Sequence, residues 1–271
     1  MTTETSRLGA NIARFSGFAD VYDAYRPHPP AALADVLLAF IGDPRPRLVV
    51  DLGSGTGTST RYWAGRAEQV IGVEPSADMR RQAIAATPMG NVTFRAGFSH
   101  ETGLPDGCAD IVTCSQSLHW MLPEPTFAEV ARILRPGGVF AACDYDWPPI
   151  TPRWEMQEAY RRFTAGLREL ERRHPTREGL VSHEKSGHLD RMIASGRFRF
   201  TREFMLHSSD EGSARRLIGL ALSLGSVQTL RKMGLSEAEI GIDRLRDELA
   251  ALGDDASERW FWTSRVRAGI V

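Results

Sequence analysis

Short apolar runs alternate with longer amphipathic stretches along most of the chain. The apolar runs predict strands near residues 47–52, 69–74, 91–95, 109–114 and 138–144, and two later strands near 198–207 and 259–266. Stretches with apolar residues three or four positions apart predict helices over 8–25, 31–41, 154–173, 189–194, 213–232 and 236–252. This alternation is typical of an α/β fold, in which helices cover both faces of a mostly parallel sheet.

Proline-rich segments divide the pattern. Residues 26–30, Arg-Pro-His-Pro-Pro, end the first predicted helix, and residues 144–152 carry three prolines where the regular alternation stops. We therefore predict one domain over residues 1–271. Its core would comprise about 31–146 and 197–271, and lid segments would occupy about 1–30 and 147–196.

The segment 48–58, Leu-Val-Val-Asp-Leu-Gly-Ser-Gly-Thr-Gly-Thr, is the most informative motif. An apolar strand runs into Asp51, and glycines then alternate with small hydroxyl residues, which predicts a tight turn before a helix. Glycine permits positive φ and lets a ligand approach the main chain closely. The pattern favours a nucleotide-like ligand, although glycine-rich turns also occur in doubly wound proteins that bind no nucleotide.

The second predicted strand ends in another acid, Glu74, 23 positions after Asp51. In a βαβ unit this spacing places Glu74 at the tip of the neighbouring strand, where a carboxylate can accept both ribose hydroxyls. Ser76 is a plausible helix N-cap, and Met79 in the first turn would pack on an adenine face. The alternative is that Glu74 is a solvated loop acid.

With these motifs the chain resembles the class I S-adenosylmethionine-dependent methyltransferases. Residues 108–120 are similar to that family's fourth-strand motif, and residues 129–140 to its helix, Pro-Gly-Gly turn and fifth strand. Residues 22–27, Tyr-Asp-Ala-Tyr-Arg-Pro, and the run Gln-Ser-Leu-His-Trp at 116–120 resemble the small-molecule subgroup that contains trans-aconitate methyltransferase. The resemblance covers roughly residues 11–146.

The resemblance implies a doubly wound, mostly parallel sheet of seven strands, a Rossmann-like methyltransferase core with a helical lid. It implies S-adenosylmethionine as cofactor, with its methionine part near the 53–55 turn, its ribose on Glu74 and its adenine on Met79. Residues 97–99 would cover the adenine edge, although Phe98 stands where the family often has an acid. The full set of expected cofactor-binding residues is Asp51, Gly53, Ser54, Gly55, Glu74, Pro75, Met79, Gly97, Phe98, Ser99, Ser115 and Ser117.

Methyl transfer needs little from the protein, because the sulfonium methyl is already activated. The protein must hold the acceptor in line and exclude water, and a base is needed only when the acceptor must lose a proton. The expected catalytic residues are Tyr22, Tyr25 and His119, with Trp120 beside them. His119 follows the fourth strand, where the acceptor should approach, but a histidine there could also simply pack against or cap the next turn.

Four of the seven histidines lie between residues 174 and 207. His183, His188 and His207 could converge above the methyl group and bind one divalent metal, since histidine is a common metal ligand. Such a metal would chelate a 2-oxo acid and stabilise its enolate. The alternative is a polar lid with scattered surface histidines.

Three functional hypotheses follow. The first is a methyltransferase of a small-molecule acid, with metal-assisted carbon methylation of a 2-oxo acid as the favoured chemistry. The second is metal-free methylation of a carboxylate or hydroxyl oxygen. The third is a protein that binds S-adenosylmethionine without catalysis.

The overall composition limits the classes of partner that the protein is expected to bind. The formal net charge of −1 argues against a nucleic-acid partner, which would need a concentrated basic surface. No apolar run approaches the length of a membrane span, and residues 1–10 are polar, unlike a signal peptide. The three cysteines have no metal-binding spacing, so free thiols in the cytoplasm are expected. The sequence leaves the oligomeric state open.

Overall fold

The computed structural model describes residues 4–176, 178–253 and 255–271. Its strands are β1 Leu48–Leu52, β2 Gln69–Val73, β3 Val92–Arg95, β4 Ala109–Ser115, β5 Leu134–Tyr145, β6 Phe200–Gly212 and β7 Glu258–Ile270. Strands β1 to β4 follow the predicted apolar runs to within one residue, because buried parallel strands show as short continuous runs of apolar residues, whereas β5 begins four residues earlier than predicted and β6 and β7 end five and four residues later.

The strands form one seven-stranded sheet in the order β3-β2-β1-β4-β5-β7-β6. Strands β1 to β5 are mutually parallel, with Asp51 beside Gly72 on one side and beside Thr113 on the other. Strand β7 runs antiparallel to both β5 and β6. The predicted doubly wound, mostly parallel fold is confirmed, and its order reverses between β1 and β4.

Three predicted helices are each divided in two. Gly17 at φ 86° separates the first pair, Ser223 and Leu224 the second, and Gly241 at φ 90° the third. The helices are α1 Glu4–Arg14, α2 Ala19–Tyr25, α3 Ala32–Ile41, α4 Thr58–Tyr62, α5 Ala77–Ala85, α6 Pro123–Ile133, α7 Trp154–Arg173, α8 His188–Ala194, α9 Ala214–Leu222, α10 Gly225–Lys232, α11 Glu237–Ile240 and α12 Ile242–Ala250.

Alternate strand residues supply two cores, one on each face of the sheet. Val49 and Ile111 pack on one face with α3, and Val50 and Val112 pack on the other with α6. A third cluster joins α7 to α9, α10, α11 and α12 and to Trp260 and Trp262 of β7. The long helix of the predicted lid segment 147–196 therefore packs into a core that the C-terminal helices share. Within the described ranges, no helix has the length and apolar character that a bilayer crossing would need.

Gly219 should be required for the docking of α2 on α9. A Cβ at Gly219 would lie 2.3 Å from a Tyr25 ring atom, so Gly219→Ala should destabilise the protein by about 1–3 kcal/mol. Gly166→Ala, at an exposed position of α7 with no atom within 4 Å of the new Cβ, is the matched control and should stabilise by about 0.5–1 kcal/mol. Urea unfolding measures both. Stabilisation by both substitutions would show that α2 docking does not depend on this contact.

Candidate active site

A cavity opens at the carboxyl ends of the strands, where the strand order reverses between β1 and β4. Ligands bind at this point in open α/β sheets. Helices α1 and α2 form its other wall. Its lining consists of Leu8, Asn11, Ile12, Phe15, Tyr22, Arg26, Pro27, Pro29, Gly53, Ser54, Gly55, Thr56, Thr58, Ser59, Glu74, Pro75, Ser76, Met79, Phe98, Ser99, His100, Ser115, Gln116, Ser117, Trp120, Met121 and Tyr145.

The turn after β1 forms the floor of the cavity and needs glycine at two positions. Gly53 adopts φ 64°, and a Cβ there would lie 2.7 Å from the Ser117 Cβ. Gly55 adopts φ 55°, yet nothing lies within 4 Å of the position of its missing Cβ. The turn therefore presents bare backbone to the cavity, as a close approach by a ligand requires.

Glu74 connects the ends of β1 and β2. Its buried carboxylate accepts the Gly55 N–H at 3.0 Å and the Ser76 N–H at 2.8 Å. Burial raises the pKa of Glu74 above its ordinary range and outweighs the opposing effect of these hydrogen bonds. Each carboxylate oxygen can accept a second hydrogen bond, so Glu74 can hold the turn and a ligand hydroxyl together.

Asp51 does not line the cavity, and its contact with a cofactor stays a prediction. Its carboxylate is fully buried and accepts hydroxyl hydrogen bonds from Ser59 at 2.6 Å, Thr60 at 2.7 Å and Thr113 at 3.0 Å. Burial raises the pKa of Asp51, while the three hydroxyls oppose that rise. Asp51 thus fastens β1 to α4 and β4 beneath the turn.

Most of the other expected cofactor residues do line the cavity: Gly53, Ser54, Gly55, Glu74, Pro75, Met79, Phe98, Ser99, Ser115 and Ser117. Gly97 does not, because its missing Cβ faces Val73 Cγ1 at 3.1 Å. The hydroxyls of Ser99 and Ser117 have protein partners, Thr126 Oγ1 at 2.7 Å and the Leu52 carbonyl at 2.8 Å. Contacts of the lining residues with a cofactor stay predictions.

The expected catalytic residues separate into two groups. Tyr22 and Trp120 line the cavity, whereas Tyr25 packs against Gly219 and the helical cluster. His119 also lies outside the lining, with its ring centroid 4.8 Å from that of Trp120 and its Nδ1 3.9 Å from Asp144 Oδ1. Both residues are half-buried outside the cavity lining, and a catalytic role for either stays a prediction.

The three-histidine metal site is wrong. His188 is buried, with Nδ1 2.8 Å from the Arg191 guanidinium, and His207 lies on edge strand β6 with Nδ1 3.3 Å from Thr263. Burial and the charge of Arg191 lower the pKa of His183, and they lower that of His188 to about 3. The positive charge of Arg191 beside these imidazoles would also repel a metal cation. Across the described ranges, no group of three or more His, Cys, Asp or Glu side chains could hold one.

Arg26 is a cavity residue that our sequence reasoning treated only as part of a helix break and of a family motif. Its guanidinium donates to the hydroxyl and carbonyl of Ser223, at 2.9 and 2.8 Å, and to the Tyr145 hydroxyl at 3.0 Å. The rings of Tyr22 and Trp147 lie 4.6 and 5.0 Å away. An aromatic-rich helix followed by Arg-Pro was the only sequence signal for it.

The buried His188 should make stability depend on pH. Between its ordinary pKa of about 6.5 and its folded pKa of about 3, the unfolded chain binds a proton that the folded protein does not. Stability is therefore complete above the ordinary value and is lost as the pH falls through this window. The melting-temperature advantage of the wild type over His188→Gln should shrink from about pH 7 to about pH 5.

The matched control is His28→Gln, which removes an exposed imidazole. Differential scanning fluorimetry measures all three proteins across the same buffers. An advantage over His188→Gln that stays constant would mean that His188 protonates as freely in the folded protein as in the unfolded chain.

Comparison with known proteins agrees with this geometry. Residues 50–142 match the model of a family described as a methyltransferase domain. An uncharacterized methyltransferase of Mycobacterium tuberculosis is 36% identical over 124 residues, which are 46% of this chain and 49% of that protein. A malonyl-[acyl-carrier protein] O-methyltransferase of Pseudescherichia vulneris is 30% identical over 145 residues, 49% of this chain and 52% of the relative. The chain spans about half the length of these curated relatives.

The structural similarity to one solved protein covers more of the chain than the sequence matches do. A candidate type II methyltransferase from Anaeromyxobacter dehalogenans superposes with a TM-score of 0.69 and 25% identity, covering 91% of this chain and 98% of that one. The matched domain includes the glycine turn after β1 and the strands on both sides of the cavity. The fold and the matched domain together support the predicted resemblance to the class I S-adenosylmethionine-dependent methyltransferases.

Proposed function

We propose that this protein methylates a carboxylate oxygen of a small-molecule acid, with S-adenosylmethionine as the methyl donor. The observation that carries the proposal is the pairing of two charges in one cavity. Glu74 lies beside the glycine turn, and Arg26 lies on the α2 side of the same cavity. A carboxylate suits ribose hydroxyls, and a guanidinium suits an acid.

The donor side of the cavity fits the cofactor. Gly55 leaves open space above the turn, and Glu74 has free acceptor capacity. The Ser54 hydroxyl lines the cavity, is buried and has no hydrogen-bond partner among the described residues. A buried polar atom without a partner is costly, so a ligand group there would be stabilising. These residues would hold the ribose and methionine parts.

The acceptor side fits an acid. Arg26 is the only arginine or lysine among the described residues that line the cavity. It uses three of its five N–H donors on Ser223 and Tyr145, which leaves donors for a substrate carboxylate. The malonyl-[acyl-carrier protein] O-methyltransferase is named for an acidic substrate and supports this choice of acceptor.

The chemistry matches these residues. The bound cofactor would supply a methyl group on a sulfonium, and transfer of that methyl would release the neutral thioether S-adenosylhomocysteine. Arg26 would hold one carboxylate oxygen and orient the other, and a carboxylate needs no base because it has no proton to lose. The apolar wall of Leu8, Ile12 and Phe15 would exclude water. Metal-assisted carbon methylation loses its basis with the three-histidine site.

Glu74→Gln should weaken S-adenosylhomocysteine binding. The substitution removes the negative charge that would accept the ribose hydroxyls, so we expect a loss of roughly 10- to 100-fold in affinity by titration calorimetry. Glu68→Gln, an exposed site just before β2, is the control and should bind like the wild type. Equal affinity in all three proteins would remove Glu74 from the ribose site.

Turnover with labelled methyl donor tests the whole proposal. A panel of small carboxylic acids should yield a base-labile labelled ester, and Arg26→Gln should lower kcat/KM by roughly 10- to 100-fold with S-adenosylhomocysteine affinity unchanged. Arg47→Gln, at an exposed residue before β1, is the matched control. A base-stable methylated product would contradict ester formation, and binding of the cofactor without turnover of any acid would favour the non-catalytic alternative.

A further inference from the structure

Gln116 has an unusual backbone at the edge of the cavity. It directly follows β4 and is the only non-glycine residue in the described part of the chain with a positive φ, 55°. Its own N–H donates to the Cys143 carbonyl at 3.0 Å, which holds this conformation against the end of β5. Strained backbone of this kind collects at binding and catalytic sites.

The side chain of Gln116 is held in one orientation. Lys185 Nζ lies 2.6 Å from Gln116 Oε1, and an ammonium group can only donate, so the amide oxygen must face the lysine. Lys185 is itself fixed by Asp144 Oδ1 at 3.1 Å, and Arg267 binds the other oxygen of the same buried carboxylate at 3.0 Å. The amide nitrogen of Gln116 is therefore directed away from this ion cluster.

That amide nitrogen lacks a partner. Gln116 Nε2 is buried and makes no hydrogen bond among the described residues, while Gln116 contributes to the cavity lining. A buried N–H donor without an acceptor is destabilising. An oxygen atom of a ligand would satisfy it.

The position of Gln116 indicates the acceptor rather than the donor side. Three consecutive residues at the end of β5 organise this wall. Cys143 accepts the Gln116 backbone N–H, Asp144 holds Lys185, and the Tyr145 hydroxyl accepts from Arg26. Strands β1 and β4 lie between this strand end and the β2 end that carries Glu74.

We propose that Gln116 Nε2 donates a hydrogen bond to a second oxygen of the acceptor, and that Lys185 is the positioning residue that sets the amide orientation. The substrate class is then an acid with a further carbonyl or carboxylate oxygen, not a plain aliphatic acid. This inference rests on the proposed function, because Arg26 supplies the site for the first carboxylate. An acid without the second oxygen leaves the Gln116 donor unpaired and binds more weakly.

Calorimetry on protein saturated with S-adenosylhomocysteine tests whether Gln116 binds a second oxygen of the acceptor. The probes are hexanoate, 2-oxohexanoate and hexanedioate. The wild type should bind at least one of the two oxygenated acids about tenfold more tightly than hexanoate. Gln116→Leu should remove this preference, leave hexanoate affinity unchanged and leave S-adenosylhomocysteine affinity unchanged. Gln69→Leu, at an exposed residue of β2, is the control.

Lys185 provides a second pair of variants that does not alter Gln116. Lys185→Arg keeps a group that only donates and should retain the preference, whereas Lys185→Met leaves the amide free to turn and should reduce it. A merely structural lysine would lower the affinities for all three acids together. These two Lys185 variants also test the role of Gln116 if Gln116→Leu fails to fold.

The outcomes separate the two proposals. Binding of hexanoate by the wild type without any preference overturns the Gln116 inference alone. A loss of S-adenosylhomocysteine affinity in Gln116→Leu also overturns it, since the donor would then serve the cofactor. If the wild type binds none of the three acids, the acid-acceptor function fails and the Gln116 inference fails with it.

Discussion

Two buried carboxylates immobilise the turn on which the cavity is built. A buried anion is very costly without hydrogen-bond donors, so each carboxylate fixes the groups around it. Asp51 lies beneath the turn and draws hydroxyls from α4 and β4, while Glu74 lies beside it and draws backbone N–H groups from Gly55 and Ser76. The ends of β1, β2 and β4 are thereby held in one fixed arrangement.

A third carboxylate ties the N-terminal helices to the same turn. Asp23 in α2 accepts hydrogen bonds from Thr56 and Thr58, each at 2.8 Å, and from Arg61 at 2.7 Å. Burial opposes ionisation of Asp23, but these donors lower the pKa of its carboxyl below the ordinary value. Since α2 carries Tyr22 and leads into Arg26, these contacts fix the proposed acceptor side of the cavity relative to the glycine turn.

The sequence predicted those parts of the site that depend on local pattern. The apolar runs located the strands, the glycines located the turn, and the spacing from Asp51 located Glu74 at the next strand end. Residues whose roles depend on distant partners were missed. Arg26 lies in the cavity because Ser223, 197 positions away, holds it there, and one of the three hydroxyls that bind Asp51 belongs to Thr113, 62 positions away.

The prediction of a three-histidine metal site was wrong for the same reason. Clustering along the sequence suggested convergence, but β6 carries His207 to the sheet edge while Arg191 occupies the space beside His188. Gln116 lies within the Gln-Ser-Leu-His-Trp motif at 116–120. Its significance appears only when Lys185, 69 positions later, is seen to fix its amide.

The proposed acceptor side lies mostly outside the segment that matches the methyltransferase domain, and Gln116 is the exception. The turn and Glu74 lie within residues 50–142, which match the methyltransferase family, whereas Arg26, Tyr145 and Lys185 lie outside them. Under the proposed function, substitutions in these flanking segments would change the preferred acceptor without altering the turn beside which the methyl donor would bind. Under the same proposal, a protein that shares only the central segment would keep the donor turn and need not share the acceptor.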